Sequence, residues 1–296
     1  MKKIITTATL LVLVLILIIF LGYKKDISSY IEHDTYYEYK NVSYGNHKRN
    51  ILDLTLPKTK TNGLILYIHG GSWLTGSKDG YFNNLIMWCE ERGFAACAIN
   101  YRYTLSSYSY KDILKDIDNA LKKVKELGEE KYLDLTKVLL TGHSAGGHLS
   151  LLYSYFMKDT APITPSCVVN LSGPTDLTDP NYYKGKQNIT ISFIFSLLTK
   201  HLITYNNSER KNDILLDASP ITFIDNQTVP TITAHGVKDS VVPFSNATIL
   251  HEKLEANNVE NILIPFPNSD HGLESDPDCQ IELDAIMFEY AIKYLK

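Results

Sequence analysis

The stretch "LTGHSAGGHLS", residues 140–150, sets one hydroxyl, Ser144, between small residues at the point where an apolar run ends and a helical pattern begins. Gly142 and Gly146 stand two residues to either side of it. One reading is a glycine-rich turn without chemistry. The other is a nucleophile on a strained strand-to-helix elbow, where small neighbours let the backbone close without side-chain clashes. The flanks favour the elbow: "KVLL" before it reads as a strand, and "AGGHLSLLYSYF" after it reads as a helix whose amino-terminal dipole points at the hydroxyl. A serine hydroxyl is hardly ionised near neutral pH. Such an elbow therefore needs a base to take the proton and an acid to orient the base.

Outward from the elbow, continuous apolar runs at 64–68, 94–99, 137–140, 167–171, 231–234 and 262–266 alternate with helical patterns at 81–92, 110–128, 145–156, 244–257 and 278–295. Uninterrupted apolar strands separated by helices fit a parallel sheet covered on both faces. Upstream, "YYEYKNVSYG" and "RNILDLTLP" alternate apolar and polar residues, the period of half-buried strands that can pair as a hairpin. Residues 176–217 break the rhythm and are longer than an ordinary connection. They read as a lid or binding-loop insertion with one or two short helices in 189–203, while a plain extension of the core fits equally well.

Acyl transfer develops negative charge on the former carbonyl oxygen, and preorganised NH donors meet it. "YIHGGSW" supplies them at the end of the first parallel strand: the backbone amides of Gly71 and Ser72 are the candidate donors, joined by that of Ala145 after the serine, with the His69 side chain bracing the loop. For the base, the chain order of this architecture places the histidine after the acid and both after the serine. That leaves His201 in the insertion, His235 at a strand end, His251 inside a helical pattern, and His271 in "PNSDHGLES" between the last strand and the last helix. His271 is the best placed. Asp239, in "TAHGVKDSVVP", lies on a turn beyond the preceding strand, 32 residues before His271, and is the candidate acid. Its rivals are Asp176, Asp225 and Asp270, and the competing reading of Asp239 is a solvated turn residue.

The remaining features set the boundaries. A formal net charge of −4 over 296 residues provides no basic field for nucleic acid. Residues 4–21 form an apolar run without a formal charge, flanked by Lys2, Lys3, Lys24 and Lys25, long enough as a helix to span roughly 27 Å. Residues 1–25 thus read as an uncleaved membrane anchor or a signal peptide, 26–35 as a stalk and 36–296 as one catalytic domain. Either reading of the leader exports the remainder, to be membrane-anchored with an extracytoplasmic domain or secreted. Cys89, Cys97, Cys167 and Cys279 form no CxxC pair. Zinc ligation is not expected, Cys97 and Cys167 read as buried small hydrophobes, and no disulfide can be assigned.

With these residues in place, the chain resembles the α/β-hydrolase superfamily. Within it, the chain is similar to the esterase and lipase branch of hormone-sensitive-lipase-like and acetyl-xylan or feruloyl esterase-like carboxylesterases. The resemblance rests on "HGGSW", "NYRY", "GHSAGGHL", "SGPTDL", "ASPITFI", "HGVKDSVVP" and "DHG" in that order. It implies an α/β fold with a mostly parallel eight-stranded sheet, and a Ser144, Asp239 and His271 triad at the carboxyl ends of its strands. It also implies hydrolysis of a small-molecule ester through an acyl-enzyme, with neither cofactor nor metal. Ser72 where lipase-like members often carry a third glycine, and "NYRY" in place of "DYRLAPE", favour small or carbohydrate-linked esters over lipids. Trp73, Tyr101, Tyr103, Tyr182 and Tyr183 are candidates for an aromatic substrate pocket, with ordinary packing as the alternative for each. A peptidase-like or amide hydrolase, and a catalytically inactive membrane-anchored binding protein, are the competing functions on the same fold.

Overall fold

In the computed structural model, residues 28–183, 188–204 and 209–296 are described. The expected anchor or signal segment, 1–25, lies outside them. Among the described residues no helix is long and apolar enough to cross a membrane.

The elements follow in chain order as β1 (Ser29–Glu32), β2 (Tyr36–Ser43), β3 (Ile51–Pro57), β4 (Gly63–Ile68), α1 (Phe82–Glu90), β5 (Ala95–Ile99), α2 (Tyr110–Glu129), β6 (Lys137–His143), α3 (Ala145–Phe156) and β7 (Thr164–Leu171). After these come α4 (Asn188–Thr199), α5 (Glu209–Asp217), β8 (Thr231–Gly236), α6 (Ser245–Ala256), β9 (Asn261–Phe266) and α7 (Pro277–Leu295). The strands form one sheet in the order β1-β2-β3-β5-β4-β6-β7-β8-β9. From β5 to β9 every pairing is parallel, whereas β1, β2 and β3 join antiparallel at one edge.

The sheet has nine strands where eight were expected. The additional one is β1, inside the segment read as a stalk. It pairs with β2 in the register Tyr30↔Tyr39, and the Tyr30 ring packs 5.0 Å from that of Tyr39. All four residues of β1 are exposed. No apolar periodicity therefore marks this edge strand in the sequence.

The continuous apolar runs are explained by their two faces. Along β4, Leu64, Leu66 and Ile68 point into one core with Ile113, Ile117 and Leu121 of α2, Leu149 and Leu152 of α3, and Leu250 and Leu254 of α6. Ile65 and Tyr67 point into the other core, with Leu85 and Trp88 of α1 and Leu283 and Met287 of α7. Side chains alternate across a strand, so one run serves both layers. The cysteines are free thiols, with Cys89, Cys97 and Cys167 buried.

The insertion is fastened to this frame at several points. Phe195 and Leu198 of α4 are buried, Tyr110 of α2 donates to the Asp217 carbonyl at 3.0 Å, and His148 of α3 donates from Nε2 to the Ala218 carbonyl at 2.8 Å. The outer side of α4 leaves Ile189 and Phe193 exposed.

Strand order places the site. The chain leaves β4 for β5 on one side, and β6 returns on the other side of β4. The helices following β4 and β6, α1 and α3, lie in opposite layers. The crevice outside the carboxyl ends of two such strands is where open α/β sheets bind ligands.

Burial pulls the pKa of His148 down to about 4, with the Ala218 hydrogen bond opposing it only in part. In the unfolded chain this ring protonates near 6.5. Its contribution to stability is therefore complete above pH 6.5 and is lost as pH falls toward 4, on the order of 3 kcal/mol. Thermal unfolding between pH 7 and pH 4 is expected to show that loss in the wild type and a shallower one in His148→Gln. Identical slopes would place the acid sensitivity elsewhere.

Candidate active site

Ser144 sits between β6 and α3 with φ 57° and ψ −122°, a backbone conformation that costs about 1–3 kcal/mol for a residue with a Cβ. The surroundings hold it there. Its amide donates to the Leu171 carbonyl at 2.8 Å, and its carbonyl accepts from the His148 amide at 3.1 Å. A Cβ on Gly146 would lie 1.9 Å from the Ile68 carbonyl oxygen, and one on Gly142 would lie 2.3 Å from the same atom. The two glycines are required because the turn is pressed against the end of β4.

That contact brings the loop after β4 beside the serine. Gly71 has φ +106°, and a Cβ there would meet the Thr75 carbonyl at 2.5 Å. Ser72 and Trp73 also take positive φ, 52° and 61°. The Gly71 carbonyl accepts from the amides of Leu74 and Thr75 at 2.9 and 3.0 Å. Among the described residues, the amides of Gly71, Ser72 and Ala145 donate to no protein acceptor, so all three NH groups remain available. His69 anchors the loop: Nδ1–H donates to the Gly70 carbonyl at 2.7 Å, and Nε2 accepts from Arg49 Nη2 at 3.1 Å. Burial drives its pKa down to about 3, against the Gly70 bond and with the Arg49 charge. The ring is a neutral brace, as expected.

On the far side of the elbow, His271 Nδ1–H donates to Asp239 Oδ2 at 2.8 Å, which leaves Nε2 as the basic nitrogen of the neutral ring. The Asp239 carboxylate is fully buried. Burial alone would raise its pKa, but hydrogen bonds from His235, His271 and the Val242 amide outweigh that and hold it well below the usual carboxylate range. Its Oδ1 accepts from the amides of Val241 and Val242, each at 2.8 Å. Asp239 is therefore a fixed anion rather than a solvated turn residue. His143, directly before the serine, donates from Nε2 to the His271 carbonyl at 2.6 Å, and the two rings are 4.7 Å apart.

The rival acids are occupied elsewhere. Asp270 accepts from the Ser240 amide at 2.8 Å, Asp225 pairs with Lys158 at 2.8 Å, and Asp176 accepts from the Thr178 amide at 2.8 Å. Among the rival histidines, His251 bonds Asn261 and His201 is exposed on the insertion.

Of the pocket candidates, Tyr101 is fully buried. It stacks on His69 at 4.2 Å and donates to the His69 carbonyl at 3.0 Å. With no exposed surface it is a packing residue behind the loop, not a pocket wall. Tyr103 donates to the Gly76 carbonyl at 2.5 Å. Trp73 packs against His148 at 5.0 Å and Phe195 at 6.4 Å, and Tyr182 meets Phe195 edge-on at 5.4 Å. These rings join the loop after β4 to the insertion. Tyr183 is buried beside them.

Three contributors were not singled out from sequence, and a fourth, His235, was weighed there only as a base. His235 lies buried under the acid, with Nε2 3.3 Å from Asp239 Oδ2. Arg49 braces His69 and also donates from Nε to the Tyr101 carbonyl at 2.8 Å. Ser240 clips Asp270, and His143 bonds the His271 loop. His235 carried a faint signal, since it stands four residues before Asp239 at a strand end; Arg49 carried none.

Comparison with known proteins agrees with this architecture. The chain is 31% identical over 220 residues to the "Probable carboxylic ester hydrolase LipM" of Mycobacterium tuberculosis, covering 70% of this chain and 49% of that protein. It is 28% identical over 206 residues to the "Acylamino-acid-releasing enzyme" of Mus musculus, covering 66% of this chain and 26% of that one. The chain thus spans about half or less of the length of these relatives. Among solved structures, a "Truncated form of carbohydrate esterase from gut microbiota" superposes with TM-score 0.72 at 21% identity, over 89% of this chain and 100% of that one. "ESTERASE B" from Lactobacillus rhamnosus superposes with TM-score 0.68 at 19% identity, over 88% and 87%. The fold is that of the α/β esterases. Residues 52–254 match the BD-FAE family model, and as this is well over half of the sequence, the chain belongs to the BD-FAE family.

Proposed function

We propose that the protein is a serine carboxylesterase acting on small or carbohydrate-linked carboxylic esters. The observation that carries this reading is the 2.8 Å bond from His271 Nδ1 to buried Asp239, taken together with a serine on a strained elbow and three amides without a protein acceptor. Ser144 Oγ attacks the ester carbonyl while His271 Nε2 takes its proton, and Asp239 stabilises the imidazolium. The amides of Gly71, Ser72 and Ala145 hold the oxyanion. Collapse of the tetrahedral intermediate breaks the ester C–O bond, and His271 returns the proton to the departing alcohol. Water then gives a proton to His271 and attacks the acyl-enzyme, and the proton returns to Ser144 as the acid leaves. Trp73, Tyr182 and Tyr183 are proposed to border the substrate.

A second reading, amide hydrolysis, is favoured by one observation, the similarity to the acylamino-acid-releasing enzyme. Both reactions use the same nucleophile, so the leaving group separates them. For localisation, the apolar run at 4–21 supports a domain tethered to a membrane and placed outside the cytoplasm.

Labelling by a fluorophosphonate probe is expected in the wild type and absent in Ser144→Ala. Asp239→Asn is expected to lower kcat about 10⁴-fold, because the histidine then meets a partner that no longer demands its Nδ1 proton. A wild type that ignores the probe would favour the inactive binding protein. Nitrophenyl acetate is expected to turn over faster than longer acyl esters or aminoacyl amides, and faster turnover of the amides would replace the esterase reading with the second one. Washing membranes with alkaline carbonate is expected to leave the full chain in the pellet; release into the wash would remove the tether.

A further inference from the structure

We infer that His143 is a positioning residue that sets the catalytic base against the nucleophile; the inference rests on the esterase triad proposed above. A base must meet the hydroxyl at hydrogen-bond distance, and it must also be oriented by its acid. In this fold the two requirements are met by different contacts. His271 Nδ1–H bonds Asp239, Asp270 accepts from the Ser240 amide and hydroxyl at 2.8 and 2.9 Å, and the Lys238 amide donates to the Ser269 carbonyl at 3.1 Å. Each of these ties the His271 loop to the loop after β8. They register the base with the acid and leave its distance from the serine open.

The link to the serine comes from the other side. Among the described residues, one hydrogen bond joins elbow residues 142–145 to loop residues 267–276, and it is the 2.6 Å bond from His143 Nε2–H to the His271 carbonyl. The donor is rigidly mounted. His143 is the last residue of β6, paired in register with Leu171 of β7, and its own carbonyl is packed so closely that a Cβ on Gly70 would come within 2.8 Å of it. Because His143 adjoins Ser144, this bond ties the loop that presents the imidazole to the residue next to the hydroxyl.

The chemistry of the donor also suits the task. His271 must become an imidazolium in the transition state, and a charged neighbour 4.7 Å away would oppose that. Burial pulls the His143 pKa below its ordinary value, outweighing the His271 carbonyl bond that opposes it. The ring thus donates its proton while staying neutral. Glutamine carries an amide N–H at the same number of bonds from Cβ as Nε2 of histidine, and is neutral at every pH. It is the conservative replacement.

The test compares full-length wild type with His143→Ala, His143→Gln, Ser144→Ala and His271→Ala on nitrophenyl acetate, with thermal unfolding of each. His143→Ala is expected to lower kcat about 10- to 100-fold and leave KM within about twofold, the signature of a misplaced catalytic group. His143→Gln is expected to recover most of that loss. The low-field proton signal of the His271 Nδ1–H to Asp239 bond is expected to persist in His143→Ala, because the pair is held from the other side. Should His143→Ala fail to fold, His143→Leu keeps bulk without a donor and takes its place. Unchanged kcat in the variant without a donor, a glutamine variant that folds yet falls as far as alanine, or loss of the low-field signal would each overturn the inference. If Ser144→Ala and His271→Ala retain wild-type activity, the triad itself fails whatever His143 does. If they abolish activity while His143→Ala does not, only the positioning role fails.

Discussion

The contact on which the site depends is the approach of the Ser144 turn to the Ile68 carbonyl at the end of β4. No side chain fits between them: a Cβ on Gly146 would stand 1.9 Å from that oxygen. Because the turn is pressed there, the start of α3 and the loop that runs on from β4 to Gly71 and Ser72 lie side by side. The strained angles at Ser144 are held by bonds to Leu171 and His148, so the stability of the surrounding sheet offsets their cost.

A second constraint is electrostatic. Histidines cluster around the elbow, and two of them are held neutral. His69 is held neutral by burial, and so is His143. Asp239 is held as an anion by donors on both carboxylate oxygens. In the proposed reaction, the positive charge that develops on His271 meets the fixed counter-charge of Asp239, with the neighbouring His143 ring held neutral. Preorganised charge of this kind requires little reorganisation as the reaction proceeds.

The insertion packs against the loop after β4 and joins the main core through Phe195 and Leu198. Trp73 belongs to the loop after β4, yet its ring packs on Phe195 of α4, and Tyr182 closes on the same phenyl ring. Hydrogen bonds at Ala218 and Asp217 fix this segment to α3 and α2.

How much of this was legible in the sequence follows from what kind of force sets each part. Local sterics and side-chain alternation are written in consecutive residues. The glycines around Ser144, the two-faced apolar runs and the helix boundaries could therefore be read directly, and the order of the motifs was enough to nominate Asp239 and His271. Edge strand β1 escaped because an exposed strand has no apolar face to betray it. The roles of Arg49 and His143, and the withdrawal of Tyr101 from the surface, were decided by tertiary structure alone. Each depends on contacts between residues brought together by the crossing of β4 and β6 and by the packing of the loops after β8 and β9, and a hydrogen bond between distant segments leaves no periodicity in either of them.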